Sequence, residues 1–113
     1  MDKLTDFFKM LSDETRVRIL VLLYHKKLCV CQMCGIMEET QPKISKHLAK
    51  LRDMGFVKDE RKEQFIYYYL NFNNKLFEEV LKNIIDNIED YETIRNDLKR
   101  LDGAEEYLPT CKR

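Results

Sequence analysis

Apolar residues recur at spacings of three and four through most of the chain, and polar punctuation divides them into segments. Leu4, Phe7, Phe8 and Leu11 trace one face of a short first helix. Ser12 and Asp13 interrupt it, and either can cap a second helix on Val17, Ile19, Leu20, Leu22 and Leu23 that ends near Tyr24. His25, Lys26 and Lys27 follow, where positive charge suits the negative end of a helix dipole. Val30, Met33, Ile36 and Met37 predict a third helix from about Val30 to Glu38. Thr40 as N-cap and Pro42 in the first turn open a fourth. In it Ile44, Leu48 and Leu51 point one way, while Lys43, Lys46 and Lys50 fall on the far side at about 100° per residue.

Gly55 ends that helix, and the period then changes. Two β-prone runs, Phe56 to Glu60 and Phe65 to Leu70, flank a charged turn and predict a hairpin. Beyond Asn73 a wide apolar stripe runs through Leu76, Phe77, Val80, Leu81, Ile84, Ile85, Ile88 and Tyr91, continued by Ile94, Leu98 and Leu101. It is wider than the edge helix of a small monomer needs, so part of it, with Phe7 and Phe8, is expected to meet a second copy. Residues 103–113 show little periodicity and contain Pro109, which predicts a flexible tail after a domain spanning 1–102.

The expected fold class is mainly α with a β-hairpin wing: a winged helix-turn-helix, dimeric through its first and last helices. Charge supports a nucleic-acid face. The chain of 113 residues is neutral overall, but residues 41–64 hold seven Lys/Arg against four acids. The second helix of such a pair offers its polar N-terminal half to the major groove, and the wing reaches flanking backbone. Gln41, Lys43, Ser45, Lys46, His47 and Lys50 supply the first, and Arg61 and Lys62 at the hairpin tip supply the second. Gln and Ser can read base edges, while lysines position the protein on phosphate. The competing interpretation makes the lysines merely the solvated side of an amphipathic helix. His47 lies at the edge of the buried stripe, where packing competes with DNA contact. His25 reads as a C-terminal charge partner.

The cysteines carry the sharper chemistry. Cys29, Cys31 and Cys34 lie within six residues, where mutual disulfides would close strained loops, so reduced thiols are expected. Cys31 and Cys34 share a helical face, whereas Cys29 stands about 200° from Cys31 on an ideal helix. The three converge only if Cys29 lies in the turn before the helix or if the first turn distorts. Thiolates select soft ions, and three of them suit a trigonal metalloid better than tetrahedral zinc, which needs a further ligand such as Cys111. A buried free cysteine is often only a small hydrophobe, but three so close together are less simply explained that way.

Three stretches bring a resemblance into view: LSDETRVRILVLL (Leu11 to Leu23), LCVCQMC (Leu28 to Cys34) and TQPKISKHLAKLRDMGFV (Thr40 to Val57). They resemble the second helix, metal-binding box and recognition helix of the arsenical-resistance (ArsR/SmtB) family of metal-responsive winged-helix repressors. The resemblance implies a homodimer on palindromic operator DNA, released by inducer, with Cys29 and Cys31 as box ligands, Cys34 as the third and Gln41, Ser45 and His47 facing DNA. It also implies departures: Lys27 and Gln32 stand where many members carry acids, Glu63 where glycine is usual, and Glu60 where arginine is usual.

The function expected from these readings is an arsenite- or antimonite-responsive repressor that requires no cofactor. Its partners are double-stranded operator DNA and a second copy. No run reaches the roughly 18 apolar residues of a membrane span, so a cytoplasmic protein without membrane partners is expected. An enzyme is not, since the chain has no Gly-rich phosphate loop and no credible nucleophile and base pair. Two rivals remain: a thiol-redox sensor on the same fold, and a constitutive DNA-binding or interaction module with structural cysteines.

Overall fold

The computed structural model describes residues 2–71 and 73–111, excluding the side chains of Asp2, Glu89, Pro109, Thr110 and Cys111. Six α-helices and a three-stranded sheet follow in the order α1 (Asp2–Met10), α2 (Glu14–His25), β1 (Leu28–Cys29), α3 (Val30–Met37), α4 (Gln41–Asp53), β2 (Val57–Lys62), β3 (Phe65–Leu70), α5 (Lys75–Asp86) and α6 (Glu92–Leu101). The last two are joined by a 3-10 turn at Ile88–Asp90, and a 3-10 segment, Ala104–Cys111, follows α6.

Helix α2 is the centre of the core, with Ile19, Leu20, Val21 and Leu22 fully buried. A helix covered on all sides has no need of an amphipathic pattern, which is why its apolar residues run consecutively. Asp13 caps it, its carboxylate accepting from the Arg16 amide at 3.1 Å. Around α2 pack α4, α5, α6 and β3. Phe7 of α1 meets Phe77 of α5 and Phe56 at centroid distances of 4.9 and 5.9 Å, closing the end of the core where the expected first helix docks. Gly55 at φ 86° turns the chain from α4 into β2, a conformation glycine adopts without a Cβ penalty.

The sheet order is β1-β3-β2, all antiparallel. The two-residue β1 was not anticipated; Leu28 pairs with Tyr68 and Cys29 with Tyr67. Strand β2 runs two residues further than expected, so Arg61 and Lys62 close the strand, and the turn falls on Glu63 and Gln64. Glu63 has φ 60°, so the position where the family usually carries glycine keeps a left-handed backbone here.

The long apolar stripe is divided between two helices: it breaks at Asn87, and α6 turns back to bury Ile94 and Leu101 on the core beside α2 and α3. Among the described residues the large apolar side chains left exposed are Phe8 on α1, Ile66 on β3, Leu76 on α5 and Tyr91 at the start of α6. Within the stretch expected to be a flexible tail, residues Ala104–Cys111 form 3-10 turns lying on α3.

Candidate functional site

Two groups of expected site residues lie on adjoining elements. The cationic group is on α4 and the wing. Gln41, Lys43, Lys46 and Lys50 are exposed on one side of α4, opposite buried Ile44, Leu48 and Leu51, and Arg61 and Lys62 are exposed at the end of β2. Ser45 is half-buried. Lys43 pairs with Glu39 at 3.2 Å, a surface contact of little energetic consequence.

His47 is turned inward, its side chain only 13% exposed. Arg16 Nη1 lies 3.3 Å from its Nδ1. A guanidinium can only donate, so Nδ1 accepts, and the ring proton belongs on Nε2, 3.7 Å from the Asp13 carboxylate. Burial, then the nearby Arg16, Lys46 and Lys43, lower the His47 pKa against the opposing pull of Asp13. His47 therefore ties α4 to the start of α2.

The thiol group sits where β1 becomes α3. Cys29 is extended (φ −92°, ψ 171°) and serves as N-cap, so it lies outside the regular helix as convergence requires. Its sulfur is 3.6 Å from that of Cys31. With thiolate bonds of about 2.3 Å, such a separation corresponds to an angle of roughly 100° at a shared soft ion, a suitable bite. Cys29 is 2% exposed, and its strand pairing with Tyr67 joins it to the wing. Cys34 is half-buried; burial, then Cys29 and Glu39, push its thiol pKa up. Cys31 is disulfide-bonded whereas Cys29 and Cys34 are not, which corrects the expectation of reduced thiols throughout. Among the described residues no group of three ligating side chains is already gathered, and the Cys111 side chain lies outside them.

Both departures near the box acquire a role. Lys27 reaches the wing, with Nζ 3.4 Å from Glu60 and 4.7 Å from the Tyr69 ring centroid. Gln32, 4% exposed, accepts from the Cys29 amide at 3.1 Å and donates to the Ala104 carbonyl at 3.2 Å.

The opposite end of α3 holds a cluster that sequence reasoning missed. Arg18 Nε and Nη2 grip the Asp97 carboxylate at 2.8 and 2.9 Å, and Nη2 also donates to the Met37 carbonyl at 2.8 Å. Arg100 donates to the Ile36 carbonyl and reaches Asp97 at 3.4 Å. The hydrogen bonds that Arg18 donates to Asp97 raise the Arg18 pKa against the cost of burial. Arg18 was hidden within an otherwise apolar run, 79 residues from its partner. The arrangement fixes the end of α3 that leads into α4.

No helix among the described residues is long and apolar enough to cross a membrane. Residues 13–59 match the model described as "Bacterial regulatory protein, arsR family". The arsenic resistance transcriptional regulator ArsR2 of Pseudomonas putida is 49% identical over 67 residues, covering 58% of each chain. An HTH-type transcriptional regulator of Methanocaldococcus jannaschii is 36% identical over 70 residues, covering 61% of this chain and 79% of that one. The crystal structure of the transcriptional repressor PagR of Bacillus anthracis matches with a TM-score of 0.64 at 30% identity, over 74% of this chain and 93% of that one. The chain spans little more than half the length of the arsenic-resistance regulators it matches. Its winged-helix architecture, its match from capping Asp13 into the wing and its likeness to these regulators place the chain in the arsR family of bacterial regulatory proteins.

Proposed function

We propose that this protein is a homodimeric cytoplasmic repressor that holds operator DNA through α4 and the wing and lets go when arsenite or antimonite binds Cys29, Cys31 and Cys34. The dimer forms through α1 and α5, whose Phe8 and Leu76 are 54% and 47% exposed. Each α4 enters a major groove, with half-sites about 34 Å apart. Lys43, Lys46, Lys50, Arg61 and Lys62 neutralise phosphate, so affinity falls with salt. Gln41 and Ser45 reach base edges.

The observation that carries the inducer reading is the 3.6 Å approach of Cys29 and Cys31 across a strand-to-helix junction. A soft ion held by this pair must also draw in Cys34, one turn along α3, to complete a trigonal set. That movement strains a junction continuous with the wing through Tyr67 and packed through α3 on α4. By linkage, operator DNA weakens inducer binding by the same factor. The name of the Pseudomonas relative is consistent with this ligand class.

The test is operator affinity by fluorescence anisotropy, with and without arsenite, for reduced wild type and for Cys29→Ser, Cys31→Ser and Cys34→Ser. Wild type should lose about tenfold or more in affinity, within the usual range of allosteric coupling. Each serine variant should bind operator normally and lose most of the response. A loaded wild-type dimer that grips operator as firmly as an empty one sinks the reading.

The disulfide at Cys31 favours a second reading, release by thiol oxidation. In it two thiols pass two electrons and two protons to a peroxide, whose O–O bond breaks, giving a disulfide and two waters, or one water and an alcohol from an organic hydroperoxide. Operator release by peroxide with no metalloid present, absent in Cys31→Ser, would distinguish it.

A further inference from the structure

Gln32 spans two backbones that are distant in sequence, the Cys29 amide and the Ala104 carbonyl. Its orientation follows from its partners, since an N–H demands the amide oxygen and a C=O demands the amide nitrogen. An ionised carboxylate at this position would set oxygen against the Ala104 oxygen, so an acid can make the first contact but not the second. One turn further along α3, the Tyr107 ring lies against Gly35. A Cβ on Gly35 would stand 2.1 Å from Tyr107 Cδ1 and 2.4 Å from Cγ. Glycine inside a helix costs about 1 kcal/mol relative to alanine, so it is the docked ring, and not the helix, that requires it here. Ala104 is fully buried under the same contact.

We propose that the docked C-terminal segment, fastened to α3 by Gln32 and by Tyr107 on Gly35, positions Cys29 for the inducer. Gln32 and Tyr107 are then positioning residues of the thiol site. The first residues of a helix lack intrahelical partners for their amides and fray unless something holds them. Gln32 holds the Cys29 amide, and so the extended backbone that aims its sulfur at Cys31. Because Gln32 is itself tied to Ala104, undocking the segment loosens the ligand, and ordering it again subtracts from the affinity for the ion. This inference rests on the inducer site proposed above.

The experiment is arsenite titration of the dimer reduced with a phosphine, since a dithiol reductant would compete for arsenite, beside operator titration of the arsenite-free protein. Gln32→Met, Tyr107→Ala and Gly35→Ala should each weaken arsenite binding about tenfold, the lower end of losses from outer-shell partners, with operator affinity changing less than about twofold. Gly35→Ala added to Tyr107→Ala should cost nothing more, because the ring it clashes with is gone. Helix propensity alone predicts the opposite sign for Gly35→Ala. Unchanged arsenite affinity in Gly35→Ala and Gln32→Met, or equal losses of arsenite and operator affinity, would overturn the proposal. A wild type that binds no arsenite removes the inducer reading and this one with it; a wild type that binds while the variants match it removes this inference alone.

Discussion

The two ends of α3 are built from different chemistry. At its start an extended cysteine caps the helix, a neutral glutamine amide holds that cysteine's backbone, and a second sulfur lies 3.6 Å away. At its close two arginines take the Ile36 and Met37 carbonyls while sharing Asp97, which is 1% exposed. Neutral hydrogen bonds contribute about 1 kcal/mol each and can be exchanged; a buried ion pair is costly to break on one side, because an unpaired charge is left behind. In the proposed inducer site, a pull on the sulfur end would therefore turn the helix about its charged end. That end leads, through Glu38 to Thr40, straight into α4. Under the proposed function, a fixed pivot beside α4 would turn a small displacement at the thiols into rotation of that helix.

Removing the pivot gives the largest expected effect. Asp97→Ala leaves buried Arg18 with only its longer contact to Glu39, at 3.7 Å, and unfolding in urea should show a loss of about 3 kcal/mol. Changing Asp97 and Arg18 together to apolar residues of similar volume should recover much of that loss. A loss below about 1 kcal/mol for Asp97→Ala, the scale of a surface pair, would erase the contrast between the two ends.

These two ends were unequally legible in the sequence. The thiol end could be read because its logic is local: Cys29 cannot share a face with Cys31 inside a regular helix, which left a place before the helix or a distorted first turn, and α3 begins at Val30. The α4 boundaries were legible for the same reason, through Thr40, Pro42 and Gly55. The charged end was not, because an arginine in an apolar run gives no hint of a partner 79 residues away. The break at Asn87 had no proline or glycine to announce it, and the stripe continued in phase across it. The docking of the C-terminal segment depends on one ring finding one glycine, a relation that periodicity cannot carry. His47 was placed at the margin of the buried stripe, but its inward hold on Arg16 and Asp13 is a tertiary fact.

A smaller effect tests whether the pivot is already at its best. Glu38 closes α3 at φ 56°, a left-handed conformation that costs a residue with a Cβ about 1–2 kcal/mol. Its contact with Arg100 at 3.9 Å is exposed and offsets little. Glu38→Gly should therefore raise stability by about 1 kcal/mol in urea unfolding while leaving arsenite-induced operator release unchanged. Added stability with a blunted release would mean that the strain at Glu38 belongs to the switch, and the pivot would have to be placed elsewhere.

The smallest effect concerns the other hold on α4. His47 has a folded-state pKa lowered from 6.5, first by burial, so the unfolded chain binds the proton more readily. The stability contributed by its neutral ring is full above about pH 6.5 and is lost as pH falls through the folded value. Asp13 is affected differently: burial raises its pKa, but the Arg16 amide, His47 and the Arg16 side chain outweigh that and leave it below 3.8. Its contribution is lost only as pH falls through that depressed value, outside the window of the histidine. His25 is also lowered by burial and adds a slope of the same sign, so the difference between proteins isolates His47. Urea unfolding between about pH 5 and 7.5 should show wild type weakening on the acid side, and His47→Gln should weaken less steeply. Equal slopes would mean that the imidazole takes up its proton over the same pH range folded and unfolded. The α2 contact would then hold α4 by packing, and the electrostatic anchoring of α4 would fall to the charged end of α3.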